Sequence, residues 1–340
     1  MAVNEQNIMT SHNLPNYSGL LFNKGNTATP FSTLIGGKYR TTNHWEFATS
    51  QSYQTPDAKA QPAITESQSL VAPTPTFVGR EQDTNFCQIF QGTVQISYGK
   101  QSSMGQLSGL NIAGQQANPA NELDFQVANK MQELRNSIEY TFLNGVKQKG
   151  THDDVAYKTD GIASAIKSNV ENAGGDALGY WMIAEMLKKI RTAHAPTEGL
   201  ILLAPSTQIL QINADATANG LTVIPAGRNI NGLNITTIET PFGTIGLLAD
   251  DYVADGTALF VNYGYCAPVH MPVPGKGNFF LEPLAKTGAS DKYQIYGQLG
   301  LDYGAEWYHG KITGLSTAFK APEYSRKVFV VNATSEAAEG

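Results

Sequence analysis

The sequence predicts an α+β fold with one long strand, one long helix and a separate lobe of short strands and helices. Three observations support this prediction. Residues 84–98 alternate between apolar and polar side chains, which is the period of a half-buried strand. Residues 118–145 repeat apolar side chains at helical spacing. From about residue 155, short apolar runs separated by turn residues replace both patterns.

The chain is acidic, sparsely charged and rich in small polar residues. Its 340 residues carry a formal net charge of −6, and charged residues make up 15% of the chain, below the usual quarter. The hydrophobic fraction of 41% is sufficient for a sizeable core. Lysine and arginine form no basic run, so the sequence does not support tight binding to nucleic-acid phosphates. Low charge also favours surfaces that other subunits cover.

The first 85 residues predict segments that cannot fold on themselves. Residues 1–40 lack periodicity but are too apolar for a free tail, which indicates an extended arm that lies on another surface. A strand is expected at 38–48. Residues 49–79 follow, and their prolines exclude both a helix and a central strand: Pro56, Pro62, Pro73 and Pro75. Since strands flank this stretch on both sides, a long projecting hairpin is the interpretation.

The long strand at 84–98 is predicted to bury one face and to expose the other. The buried face consists of Phe86, Phe90, Val94, Ile96 and Tyr98. Cys87 falls on the polar face, and Gly92 lies in mid-strand, where a bulge or a bend is expected. A strand of about thirteen residues exceeds the usual five or six.

The long helix is predicted at 118–145, with Asn118 as N-cap and Pro119 at the first helical position. Its apolar residues form one stripe: Val127, Met131, Leu134, Ile138 and Phe142. At 1.5 Å per residue, such a helix is about 39 Å long and crosses a whole domain.

The second half of the chain predicts a compact lobe. Its elements are a helix at 176–194, a buried strand at 200–204, a short helix capped by Ser206, strands at 232–239, 243–249 and 257–262, and one or two strands within 292–319. The last twenty residues contain a further strand candidate at 328–331.

No catalytic, metal or cofactor constellation is found in the sequence. The six histidines lack HxxxH or HxH spacing, and no GxSxG elbow occurs. His309 is interpreted as a hydrogen-bonded structural histidine, and Cys87 and Cys266 as buried free thiols in a reducing compartment. No apolar run reaches the roughly 18 residues that span a bilayer, and the N-terminus lacks the pattern of a signal peptide.

Three separated stretches resemble signature blocks of the major capsid proteins of tailed bacteriophages. They are REQDTNFCQIFQGTVQISYGKQS, ELDFQVANKMQELRNSIEYTFLNG and LAKTGASDKYQIYGQLGLDYGAEWYHGKITGL. The blocks occur in the family's order, and the resemblance covers most of residues 15–318. It implies the tailed-phage major capsid protein fold, with an N-terminal arm, an extended loop, a peripheral domain with a long spine helix, and an axial domain.

The resemblance also implies where these parts lie in the chain. They are an N-terminal arm at 1–40, an extended loop at 41–85 that forms a hairpin over the neighbouring subunit, a peripheral domain at 86–155 and 286–320 with the spine helix at 118–145, an axial domain at 156–285, and a C-terminal extension at 321–340. Lys59 is the only lysine between 41 and 85, and it is interpreted as solvated rather than cross-linked to a neighbour.

The function implied by the resemblance is structural, with no enzyme activity and no cofactor. The protein would self-assemble into hexamers and pentamers of an icosahedral head that encloses double-stranded DNA without sequence-specific binding and without a membrane. Its partners would be copies of itself, a separate scaffolding protein or none, a portal protein and decoration proteins. It would be assembled in the bacterial host cytoplasm and reside in the virion capsid. An encapsulin-like nanocompartment shell and a secreted β-rich binding protein are the alternatives.

Overall fold

A computed structural model of the chain describes residues 29–53, 61, 63–73, 75, 79–99, 122–218, 224–230 and 233–319. Several expected features lie outside these residues, namely the start of the arm, the N-cap at Asn118, Lys59 and the strand candidate at 328–331.

The helices and strands of the described residues follow the chain in this order. The helices are α1 (Pro30–Ile35), α2 (Glu66–Ser69), α3 (Glu122–Asn144), α4 (Ile162–Ala165), α5 (Tyr180–Thr192) and α6 (Ser206–Ala218), with a 3-10 turn at Glu306–Tyr308. The strands are β1 (Arg40–Thr41), β2 (Glu46–Tyr53), β3 (Arg80–Phe86), β4 (Gln88–Ser97), β5 (Val170–Asn172), β6 (Leu200–Ala204), β7 (Ile224–Ile230), β8 (Leu233–Thr240), β9 (Gly243–Ala249), β10 (Ala258–Asn262), β11 (Ala267–His270), β12 (Phe279–Pro283), β13 (Ser290–Asp302) and β14 (Gly310–Thr313).

The first sheet is built around the long strand β13. Strand β4 pairs antiparallel along one edge of β13, and β12 and β11 pair antiparallel along the other. The short β1 adds to β11 in parallel. Helix α3 lies against β4 and buries its whole predicted stripe, because none of the five side chains is more than 6% exposed.

The second sheet has seven strands in the order β5-β14-β10-β6-β9-β8-β7. Its centre is the predicted strand β6, in which every residue is buried. Helices α5 and α6 pack on this sheet, while the stripe of α3 and the inner faces of both sheets share one core. The two sheets therefore form a single packed body.

The predicted long strand at 84–98 is two strands of different pairs. Strand β3 pairs with β2, β4 pairs with β13, and the break between them falls at Cys87. The Cys87 side chain is fully buried beside Val269 and Met271, so its predicted place on the polar face is wrong. Alternation stops there because the chain changes partners, and it resumes in β4 with Phe90, Val94 and Ile96 buried. Tyr98 lies past the end of β4 and is 39% exposed, so its predicted place on the buried face is wrong.

Gly92 lies in an unbroken register opposite Ile295, so the expected bulge is absent at that position. A Cβ atom at Gly92 would lie 2.8 Å from the Cγ and Cδ atoms of Lys130 on α3. The glycine therefore allows the helix to approach the strand closely. A register shift occurs instead in β2, between Ala48 and Ser50.

Helix α1 departs from the extended arm that is expected for 1–40. Its six residues are all buried, and Phe31, Leu34 and Ile35 join the main core. Their spacing of three and one places them on one helical face, and Pro30 suits the first position of a helix. This part of the arm is thus integral to the subunit's own core.

The lobe of short strands follows the prediction with three differences. Strand β7 is not predicted, because Pro225 and Gly227 read as turn residues. Helix α6 is thirteen residues long rather than short, and the backbone N–H of Ser206 donates to Asp251 Oδ1 at 2.8 Å, so the capping oxygen comes from a distant loop. The chain also returns to the first sheet at Ala267, well before the expected domain boundary at 285/286.

Candidate functional site

The first candidate feature is the hairpin formed by β2 and β3. The two strands pair from Glu46–Phe86 to Tyr53–Arg80. Among the described residues beyond them, α2 is held by a capping box, in which Gln68 N donates to Thr65 Oγ1 at 3.3 Å and Thr65 N donates to Gln68 Oε1 at 3.0 Å.

The hairpin tip carries apolar side chains that nothing in the described chain covers. We define the tip as residues 63–73, all of which are exposed. Ile64, Leu70 and Val71 are 72%, 83% and 71% exposed. Solvent-exposed aliphatic side chains on a capped turn are typical of a surface that another molecule covers.

Polar and ionic contacts hold the base of the hairpin, which we call the hairpin root, against the body. Lys147 Nζ lies 3.4 Å from Asp83 Oδ1, and Lys149 Nζ lies 3.0 Å from Glu46 Oε2. The hydroxyl of Tyr303 donates to Asp83 Oδ2 at 2.9 Å. The hydrogen bond from Lys149 is the largest cause that lowers the pKa of the exposed Glu46 carboxyl.

Aromatic packing and a buried amide complete the hairpin root. Trp45 stacks on Tyr157 with ring centroids 5.1 Å apart and planes 10° apart. Buried Asn85 donates to Leu301 O at 2.7 Å and accepts from Asp160 N at 2.7 Å. The register shift in β2 lies within the hairpin root, between the pairs Ala48–Thr84 and Ser50–Asp83.

The second candidate feature is a polar cluster inside the core, which we call the buried joint. Its centre is Glu139, a fully buried residue of α3. Phe31 N donates to Glu139 Oε1 at 2.7 Å, and Ser32 N donates to Oε2 at 2.8 Å. The Ser32 hydroxyl also donates to Oε2. Since Thr29 supplies no side-chain cap, Glu139 takes the place of an N-cap for α1.

Asp250 is the other acid of the buried joint. It directly follows β9 and is 2% exposed. Its Oδ1 accepts from Tyr252 N at 3.0 Å, and its carboxyl lies within hydrogen-bonding reach of the Glu139 carboxyl. Burial is the main cause that raises the pKa of both carboxyls, and that of Glu139 lies well above its usual value. The buried joint thereby connects α1, α3 and the second sheet.

Neither acid of the buried joint is predicted from the sequence. Glu139 is one residue past Ile138 of the predicted stripe, which places it at the edge of the buried face. That position is a usable signal. The hydrogen-bond partners of Glu139, however, lie more than 100 positions away in the chain, so no local sequence pattern predicts them.

The predicted structural role of His309 is confirmed. Its side chain is fully buried. Nδ1 accepts from Asn262 N at 3.2 Å, so Nε2 carries the proton and donates to Tyr303 O at 2.6 Å. Burial lowers the His309 pKa to about 4, which keeps the ring neutral at ordinary pH.

Cys87 and Cys266 are free and buried, as predicted. Burial raises the pKa of Cys87 to about 12 and also raises that of Cys266, which makes both thiols poor nucleophiles.

The described residues contain neither a metal cluster nor a membrane-spanning helix. Within them, no three histidine, cysteine or acidic side chains gather in a way that could hold a metal ion. Likewise, no described helix has both the length and the apolar character needed to cross a bilayer. The acidic loop at 152–154 is exposed, as expected for a solvated loop.

Comparison with known structures identifies the fold. The capsid asymmetric unit of cyanophage A-1(L) matches with a TM-score of 0.61 at 11% identity, over 86% of this chain and 94% of that one. A structure from Mycobacterium phage Patience matches with a TM-score of 0.54 at 10% identity, over 92% and 88%. The holo-SrpI encapsulin complex from Synechococcus elongatus PCC 7942 matches with a TM-score of 0.58 at 12% identity, over 93% and 96%. Sequence identities this low show a shared fold and nothing more. The predicted phage capsid fold is confirmed.

Comparison at the level of sequence identifies the family. No curated protein matches the chain. A family model described as SU10 major capsid protein matches residues 4–316, which is nearly the whole sequence. The match leaves the secreted binding protein without support and agrees with the resemblance drawn from the three sequence blocks. The chain belongs to the SU10 major capsid protein family.

Proposed function

We propose that this capsid protein forms hexamers and pentamers of an icosahedral head, and that the hairpin fastens each subunit to its neighbour. The observation that carries the proposal is the uncovered apolar tip on a hairpin with a fixed root. Burying Leu70 or Val71 on a neighbouring subunit would contribute about 1.5–3 kcal/mol each before the cost of ordering the tip. A capped turn reduces that cost, because its backbone is already organised.

The assignment of the domains follows from the two sheets. We assign the first sheet and α3 to the peripheral domain, and the second sheet with α5 and α6 to the axial domain. The sheets support moving the start of the returning peripheral segment from 286 to Ala267, because β11 and β12 pair with β13. Strand β14 pairs with β10 and β5, which supports an axial place for 310–313. The extended loop stays at 41–85.

The net negative charge of the chain is compatible with a capsid shell that encloses DNA. A net charge of −6 without a basic run favours enclosure of DNA without adhesion to it. We further propose assembly in the bacterial host cytoplasm with a separate scaffolding protein, or none, with a portal protein, and with decoration proteins on the finished shell. No catalytic step is assigned to the chain.

The hairpin proposal is tested by expressing the chain and examining it by negative-stain electron microscopy and light scattering. Wild type is expected to form rings, tubes or closed shells. The double substitution Leu70→Ser with Val71→Ser is expected to leave unassembled subunits with unchanged circular dichroism. Leu70→Met with Val71→Ile keeps the tip apolar and is the matched control, so it should assemble. Normal shells from the serine variant would refute the role of the tip.

An encapsulin-like shell that packages protein is the second candidate, because the encapsulin match has a TM-score of 0.58, close to that of the cyanophage capsid. The content of particles produced in the native host distinguishes the two. Nuclease-protected DNA is the result expected for a phage head, whereas a protein cargo without DNA would favour the nanocompartment.

A further inference from the structure

We propose that Glu139 and Asp250 share one proton and act as a clamp that holds α1 on the body of the subunit and loosens as the pH rises. The clamp consists of these two carboxyls and the first residues of α1. It acts within one subunit and does not depend on how the shell is assembled.

The hydrogen bonds of the buried joint leave one oxygen in need of a proton. Both oxygens of Glu139 accept from α1, through Phe31 N, Ser32 N and the Ser32 hydroxyl. Asp250 Oδ1 accepts from Tyr252 N, whereas the buried Oδ2 has no well-formed hydrogen bond in the described part of the chain. The Phe31 N–H lies near the Asp250 carboxyl but already donates to Glu139 Oε1 at 2.7 Å. A buried acceptor without a donor is unfavourable. A proton held between the two carboxyls provides the missing hydrogen bond.

In the part of the chain that the structure describes, no positive side chain forms an ion pair with either acid. The titratable groups that act on the pair are Tyr252 and Asp251. Hydrogen bonds from Ser206 lower the pKa of Asp251, so it stays charged and adds a like charge near Asp250. Two adjacent buried carboxyls that lack a cation cannot both ionise at low cost.

A bound metal ion fits this site less well than a proton does. The N–H groups of Phe31 and Ser32 point at the oxygens that a cation would need. Donors in those positions favour an anion, so a pair with one net negative charge and one shared proton matches them.

The direction of the pH response follows from the raised pKa values. A carboxyl whose pKa is higher in the folded chain than in the unfolded chain stabilises the fold fully below its ordinary pKa, near 4.5 for Glu139. That contribution is lost as the pH rises through the folded value. Base then removes the shared proton and leaves two negative charges in contact. The electrostatic repulsion opposes the packing of α1 against α3.

Release of the clamp would act on the point where the N-terminal region enters the subunit. Helix α1 begins at residue 30 and contributes Phe31, Leu34 and Ile35 to the main core. Its first turn is held by Glu139 of α3 and lies beside Asp250 of the second sheet. Loss of the proton would therefore loosen α1 and the contact between α3 and the second sheet together.

Hydrogen–deuterium exchange of the full chain between pH 5 and pH 9 tests the proposal. The readout is the protection of a peptide covering 29–36, compared with a peptide covering β6 in the same sample to remove the intrinsic effect of pH. In wild type, this relative protection is expected to fall with rising pH, by at most about tenfold per pH unit for one released proton. In Asp250→Asn, the new amide can donate to Glu139 permanently, so the protection should stay nearly constant.

Two further variants make the result decisive. Glu133→Gln lies on the exposed face of the same helix, where Glu133 pairs with Lys130, and it should keep the wild-type profile. Glu139→Gln should lower protection at every pH and flatten the slope, and it decides the question if Asp250→Asn does not fold. Protection in wild type that is flat or rises with pH overturns the clamp, as does a wild-type slope in Asp250→Asn.

Discussion

The hairpin root and the buried joint both use a glutamate to hold one segment against the body of the subunit. The pKa values of these two glutamates shift in opposite directions, because one is exposed and the other is buried. Glu46 at the root is exposed and faces Lys149, and this contact lowers its pKa. Glu139 in the joint is fully buried and faces Asp250, and burial raises its pKa. Acid therefore weakens the root, whereas base weakens the joint. The same residue type thus stabilises two contacts of the subunit, one of which weakens in acid and the other in base.

The largest expected effect that separates the two regions is the loss of the Glu139 side chain. Glu139→Ala leaves Phe31 N and Ser32 N buried without an acceptor. It should lower the free energy of unfolding by about 3 kcal/mol or more, as measured by urea denaturation of dissociated subunits. Glu133→Ala on the exposed face of α3 is the control and should change the free energy by less than about 0.5 kcal/mol. Equal losses of unfolding free energy in the two variants would mean that the buried Glu139 stabilises the subunit no more than an exposed glutamate does.

An intermediate effect is expected from the aromatic part of the hairpin root. Trp45→Ala removes the stacking on Tyr157 and should raise hydrogen exchange in β2 and β3 roughly three- to tenfold. Trp181→Ala is the matched control, because Trp181 is 74% exposed and lies on α5. Unchanged exchange after Trp45→Ala would mean that the root is held by its polar contacts alone.

The smallest effect is expected from the exposed ion pair. Glu46→Gln should leave the unfolding midpoint at pH 7 unchanged within error, because exposed pairs contribute little. The lowered pKa of Glu46 means that the contact is present above its ordinary value of 4.5 and is lost as the pH falls. The small stability advantage of wild type over Glu46→Gln should thus be constant above that value and disappear as the pH falls below it. A stability advantage of wild type over Glu46→Gln that grows as the pH falls would contradict the contrast drawn between root and joint.

Sequence predicted the elements well where one periodicity continues without interruption. The stripe of α3 and the strand β6 lie as expected, because both patterns are local and long enough to be unambiguous. The exchange of partners at Cys87 was not predictable, since a small apolar side chain suits either face of a strand. Pairing with β2 on one side and β13 on the other is a long-range choice.

The candidate sites follow the same division. The projecting hairpin was predictable, because prolines and polar residues between two strands exclude a buried segment. The buried joint was not, since a glutamate in a long helix is usually solvated. Only the fold brings Asp250 and the start of α1 to Glu139.

The spacing of the buried joint along the chain has a consequence for synthesis on the ribosome. Helix α1 is made early, whereas the two acids of the buried joint follow much later, and Asp250 is 219 positions after Phe31. At typical rates of translation, residue 250 follows on the order of ten seconds or more after residue 31. The buried joint that holds helix α1 therefore cannot form during most of synthesis, and it is complete only after residue 250 of 340 has been made.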